Sequence, residues 1–136
     1  MTQEDFDAFI MGLQDVHREV NFGYSFFFVG DDQRLPFVTI AESDNDYDHV
    51  SNLNREGVFR LNIGVSKQTF KNLIAERTEE SIDYSILNEF LPHPQYSRQF
   101  FVCILNPVGE KAEITKQLIV EAHLIAEGRL QRRSDS

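Results

Sequence analysis

The sequence predicts an α+β fold with a single antiparallel sheet and N- and C-terminal helices packed mainly on one face. Three observations predict it. Apolar residues recur at helical spacing near both ends of the chain. The segments between them are short, rich in aromatic and β-branched residues, and alternate at strand period. Turn residues, such as Gly30-Asp31-Asp32 and Asn106-Pro107, separate these segments. The 136 residues read as one domain over 1–136, with 130–136 as a disordered tail.

Thr2 with Asp5 three residues later resembles a capping box. Phe6, Phe9, Ile10, Leu13 and Val16 follow on one helical face, so a first helix is expected to run to His17–Glu19. Tyr24–Val29 reads as a buried strand, and Phe37–Glu42 as a second one, paired with it as a hairpin. Ser43–Gly57 is a long polar loop, a length that marks function or disorder. Val58–Val65 is the clearest strand, with Phe59, Leu61, Ile63 and Val65 on one face and Val58, Arg60, Asn62 and Gly64 on the other. Ser66 is placed to cap a helix over Lys67–Ala75. Glu76–Ser81 reads as exposed, and Asp83 as the cap of a short helix over Tyr84–Phe90. Gln99–Leu105 is apolar on both faces and reads as the central strand. Gly109-Glu110 open a last helix with a stripe of Ile114, Leu118, Ala122, Ile125 and Ala126. Val120 and Leu124 lie off that stripe and widen it, which implies deep burial or a contact with a second chain, as in a homodimer.

Composition excludes several classes of function. The net charge is −9, with 22 acidic against 13 basic residues. Nucleic-acid affinity comes largely from Lys and Arg neutralising phosphates, so the balance argues against a nucleic-acid partner. The one basic cluster, Arg129, Arg132 and Arg133, suits the end of a helix. No apolar run is long enough to span a membrane, and no basic, apolar leader opens the chain. A single cysteine, Cys103, excludes an internal disulfide and fits a cytoplasmic setting.

The candidate ligand-binding residues are Arg60, Asn62, His93, Tyr96, Asp46 and Asp48. Pro92 and Pro94 restrict the backbone around His93, and a rigid turn holding a His and a Tyr pre-organises a site. Arg60 and Asn62 share a strand face, where the arginine suits a carboxylate of the Asp44–Asp48 loop or of a ligand. Asp44, Asp46 and Asp48 alternate as in the first half of a calcium loop, but His49 and Arg55 occupy the positions of its essential Gly and Glu. His49, His93 and His123 lack metal-ligand spacing, so no metal or cofactor is assigned. Cys103, between Val102 and Ile104, reads as a buried structural thiol. Backbone N–H groups after Asn106-Pro107 offer a weak anion site.

Several stretches carry a resemblance: Phe59-Arg60-Leu61-Asn62-Ile63-Gly64-Val65, Leu91-Pro92-His93-Pro94-Gln95-Tyr96 and Val102-Cys103-Ile104-Leu105-Asn106-Pro107, with Pro36–Ile40 and Asp46-Tyr47-Asp48. Together they look like a small bacterial family of unknown function. Their order also resembles the MmcQ/YjbR-like proteins, which implies a compact, double-wing-like α+β fold with some links to DNA. The turn Pro-His-Pro-Gln-Tyr departs from the Gly-Tyr-His-Met-Asn-Lys of that group and has few basic neighbours. That departure argues against DNA. Neither resemblance brings an activity, so no catalytic residue follows from it.

The expected function is a non-enzymatic domain that binds a small molecule or a protein in a cleft formed by the Ser43–Gly57 loop, the Arg60/Asn62 face and the His93–Tyr96 turn. One alternative is a hydrolase or metal-assisted enzyme using His93 with Asp46 or Asp48, which predicts a hydrogen bond between His93 and a carboxylate, or a bound metal. The other is a nucleic-acid-binding double-wing module, by fold analogy alone.

Overall fold

The computed structural model describes residues 1–74 and 82–134. Among them, six strands form one antiparallel sheet with three α-helices. In chain order the elements are α1 (Gln3–Met11), β1 (Val16–Asn21), β2 (Tyr24–Val29), β3 (Val38–Ala41), β4 (Arg60–Gly64), α2 (Lys67–Ile74), β5 (Leu91–Pro92), β6 (Phe101–Leu105) and α3 (Gly109–Ser134). The strands lie in the order β1-β2-β3-β4-β6-β5.

α1 starts in a full capping box: Asp5 N–H donates to Thr2 Oγ1 at 3.2 Å, and Thr2 N–H to Asp5 Oδ2 at 2.9 Å. Thr2→Ala is therefore expected to cost about 1 kcal/mol in urea unfolding. The helix stops at Met11 rather than at His17–Glu19. Gly12 caps it, Asp15 turns the chain with φ 62°, and Val16 enters the sheet. Val16 fits the helical stripe by spacing but instead pairs with Val29, and the register continues to Asn21 opposite Tyr24. The intervening Phe22 and Gly23 have φ of 54° and 78°, the signature of a two-residue hairpin turn.

Alternation along the strands sorts the sheet into two faces. Phe27, Val38, Ile63 and Val102 are paired across the sheet, as are Ile40, Leu61 and Ile104. All belong to one core with Phe6 and Ile10 of α1, Ile74 of α2, and Leu118, Ile119, Ala122 and Ala126 of α3. The helices thus share one face. Ile119 is fully buried in that core, and Ile119→Ala is expected to cost about 2–5 kcal/mol by the same assay.

Four other expectations need correction. β6 is next to the edge, and β3 and β4 are the central strands. β6 is apolar on both sides because helices cover one face while loops cover the other. Tyr84–Phe90 forms no helix: Asp83 Oδ1 instead accepts from Ser85 N (2.9 Å) and Ser85 Oγ (2.6 Å), a local turn that competes with helix. Residues 130–134 are the last turn of α3, where Arg132 and Arg133 suit the helix end. In α3 the buried side also takes in Ala112, Thr115, Ile119 and His123, while Leu124 is 61% exposed.

The Ser66 cap is present, with Thr69 N–H donating to Ser66 Oγ at 3.1 Å. Residues 76–81, expected to be exposed, lie outside the described residues, as does Ala75. Asn106 holds the β6–α3 corner: its Oδ1 accepts from Phe59 N (3.0 Å) and its Nδ2 donates to the Gly57 carbonyl (2.7 Å). Asn88 Oδ1 takes the Val108 N–H at 2.9 Å, filling an amide that the anion reading needed. Among the described residues, no helix is long and apolar enough to cross a membrane.

Candidate functional site

Strand register builds the floor of the site on the face that carries no helix. Tyr24, Ala41, Arg60 and Leu105 lie side by side across four strands. The next row is Phe26, Thr39, Asn62 and Cys103. Directly paired residues share a face, so Arg60 and Asn62 stand among aromatic and apolar neighbours.

Arg60 is fully buried. Burying a guanidinium costs several kcal/mol unless its charge and its N–H groups find partners. Nη1 and Nη2 donate to the two oxygens of Asp48, Nη1 also to Ser51 Oγ (2.9 Å), and Nε to Asn62 Oδ1 (2.9 Å). The network extends further: Asn62 Nδ2 donates to Thr39 Oγ1 at 2.9 Å, and the Tyr24 hydroxyl to Asp48 Oδ2 at 2.6 Å. Burial alone would raise the Asp48 pKa and lower that of Arg60. Their mutual bonds and charges outweigh burial, holding Asp48 below and Arg60 above their ordinary values. Burial, and then the bond to Asp48, push the Tyr24 phenol above its ordinary range.

The Ser43–Gly57 loop folds over this row. Leu53 is its plug, packed with Ala41 and Leu105. Asp44 Oδ1 holds Leu53 N–H at 2.9 Å, and Asn45 Oδ1 accepts from Tyr47 N (2.8 Å) and Asp48 N (2.9 Å). The three alternating aspartates therefore diverge. Asp44 ties its own loop, Asp48 grips Arg60, and Asp46 is exposed.

The 92–96 turn closes the other side. His93 N–H donates to the Phe101 carbonyl at 2.9 Å. Its Nδ1 accepts from the backbone N–H groups of Gln95 and Tyr96, each at 3.0 Å. An imidazole that accepts at Nδ1 is neutral and carries its hydrogen on Nε2. Burial first, then the nearby Arg60 cation, push the His93 pKa down to about 3, with Asp48 opposing. Gln95 Nε2 donates to the Tyr47 carbonyl at 2.9 Å and joins the turn to the loop.

Between these segments lies a cavity of about 730 Å³. Tyr24, Phe26 and Phe101 wall it from the sheet, with Tyr47 and Tyr96 contributed by the loop and the turn. Thr39, Asn62 and His93 supply polar atoms, and the exposed Phe22, Arg34 and Leu35 stand at its rim. The volume falls in the usual range for small-molecule sites.

Five of the six residues singled out from sequence line this cavity: Asn62, His93, Tyr96, Asp46 and Asp48. Arg60 lies beneath it, committed to Asp48. Tyr24, Phe26, Thr39 and Phe101 were missed, although alternation of Tyr24 and Phe26 along their strand carried the signal. Among the described residues His93 has no bond to a carboxylate. Its possible partners at a metal are scattered: His49 is exposed, and His123 sits against Phe37 on the helical side, bonded to the Gln14 carbonyl at 2.7 Å. Among the described residues no cluster of three or more His, Cys, Asp or Glu is placed to hold a metal ion. Cys103 is buried, and burial pushes its thiol up to about 12, so a reactive thiolate is disfavoured there.

No curated protein and no solved structure matches the chain. One family model, described as a family of unknown function, DUF6194, matches residues 1–135. With nearly every residue matched, from the capped first helix to the end of the last, the chain belongs to the DUF6194 family.

Proposed function

We propose that this is a non-enzymatic binding domain whose helix-free sheet face takes a small organic molecule. The observation that carries this reading is the aromatic cavity with His93 in its wall. The ring is 5% exposed and rigidly held, and its Nε2–H has no partner among the described residues. His93 lines the cavity, so that unpaired N–H is a donor that a ligand acceptor can take. The enzyme reading needs a His93 that exchanges a proton near neutral pH. A pKa lowered to about 3, with Nδ1 occupied, opposes it. The likeness to the MmcQ/YjbR-like proteins supplies an expectation of fold and no ligand.

The backbone at the rim supports the same reading. Phe22 adopts φ 54° and is 79% exposed. A non-glycine residue in this region costs about 1 kcal/mol or more, and such strain persists at binding sites. Phe22→Asn, which tolerates the turn better, is expected to raise stability by up to about 1 kcal/mol and to weaken ligand binding. Urea unfolding and calorimetry check the two halves separately.

A thermal-shift screen of a fragment library, with each hit mapped by amide chemical shifts, tests the function. A ligand at a hundred times its dissociation constant stabilises the fold by about 2.7 kcal/mol. Hits that shift residues 24–26, 47–48 and 93–101 are expected. A library without hits, or with hits mapping only to the helical side, overturns the reading.

A further inference from the structure

The chemistry of the ligand follows from which polar atoms around the cavity remain unspent. The acceptors on the sheet floor and at His93 are engaged, whereas the exposed Asp46 carboxylate and the Gln95 side-chain carbonyl, which also line the cavity, accept no bond among the described residues. Asp48 receives Arg60 and Tyr24, Asn62 Oδ1 receives Arg60 Nε, Thr39 Oγ1 receives Asn62, and His93 Nδ1 receives two backbone amides. What is left over at the floor and at His93 is donors. His93 offers Nε2–H, and the Thr39 hydroxyl, which accepts from Asn62, has its own hydrogen free of any partner among the described residues. The guanidinium of Arg34 at the rim likewise makes no side-chain bond among those residues. A ligand bearing a donor at the floor would leave two hydrogens facing each other; one bearing an acceptor would satisfy both sides.

The walls add shape. Phe26 stands beside Thr39 in the Thr39–Asn62 row, Phe101 lies on β6 opposite Gly64, and the Tyr24 and Phe26 rings stack with centroids 5.7 Å apart. Such surfaces favour flat aromatic bodies.

We propose that the cavity takes a planar aromatic compound bearing a carbonyl, whose oxygen accepts the Nε2–H of His93 while its rings lie against Tyr24, Phe26 and Phe101. The assignment rests on the cavity being a ligand site.

Three probes of one shape test it: fluorenone, with the carbonyl oxygen; fluorene, without it; and aminofluorene, with a donor in its place. Calorimetry is expected to give fluorenone an affinity about five- to tenfold above that of fluorene, the value of one neutral hydrogen bond. Aminofluorene should bind no more tightly than fluorene. The Nε2–H proton of His93 should move downfield with fluorenone alone.

His93→Asn supplies the control. Its Oδ1 takes over the role of Nδ1 as acceptor for the Gln95 and Tyr96 amides, while the ε hydrogen is lost. In that variant fluorenone and fluorene should bind alike. If fluorene matches fluorenone in the parent protein, or if aminofluorene binds best, the carbonyl assignment falls and the cavity remains a ligand site. If none of the three binds while unrelated fragments bind in the cavity, the planar aromatic class itself is wrong.

Discussion

Asp48→Ala is expected to destabilise the protein by about 3–5 kcal/mol, because it removes one partner of a buried ion pair and leaves the other charged. Arg60 is wholly enclosed, and Asp48 accepts from both of its Nη groups, with Ser51 Oγ a further acceptor for Nη1. Against a typical total of roughly 5–15 kcal/mol for a folded domain, such a loss brings the chain near its unfolding threshold. Arg60→Met should cost a comparable amount, since the Asp48 carboxylate then keeps only the Tyr24 hydroxyl as a donor among the described residues. The double variant carries the argument. With both charges gone, no buried charge is left without its partner, and the loss should fall well short of the sum of the singles, by about 1–3 kcal/mol. Urea unfolding of the four proteins measures this. Additive losses, or a loss under about 1 kcal/mol for Asp48→Ala, would mean that the pair behaves like a surface salt bridge.

That pair also shows where the sequence was legible and where it was not. Val58–Val65 alternates so cleanly that the placement of Arg60 beside Asn62 could be read directly, and an aspartate of the loop was the economical partner. What the pattern could not express is that this face is covered. Periodicity reports which residues share a side. It says nothing of a loop from elsewhere in the chain whose Leu53 seals the floor. The first strand was lost for a different reason. Phe6 to Val16 keeps helical spacing by coincidence, and the true boundary is marked by Gly12 and by a Phe22-Gly23 turn in which phenylalanine holds a position that usually goes to asparagine or glycine. In Tyr24–Val29 a run of aromatics hid the alternation that aims Tyr24 and Phe26 at the cavity and Phe27 at the core. The rigid 92–96 turn was legible because proline constrains the backbone without tertiary help, but which His93 nitrogen it leaves free depends on the amides of Gln95 and Tyr96.

Those amides dictate the second large effect, a loss of stability in mild acid that His93 causes. Protonating Nδ1 would aim a new N–H at two existing ones, inside a buried site and near the Arg60 cation. The folded pKa is therefore about 3, against 6.5 for a free histidine. Between these values the unfolded chain binds a proton that the folded one refuses, so stability rises with pH and is lost as pH falls from about 6.5 toward 3. The slope approaches about 1.4 kcal/mol per pH unit, and the drop from pH 6.5 to 4.5 amounts to about 2 kcal/mol. Asp48 acts in the same direction, but its contribution starts to disappear only below the ordinary carboxylate value of 3.8, so the upper window belongs to His93. His93→Asn should keep the turn and flatten unfolding free energy measured between pH 6.5 and 4.5, while the steeper loss below pH 3.8 persists. The same slope in parent and variant would assign the acid sensitivity to other groups. It would also remove the reason for treating His93 as a fixed donor, because a ring that protonates freely at pH 5 cannot hold its Nδ1 as an acceptor for two amides.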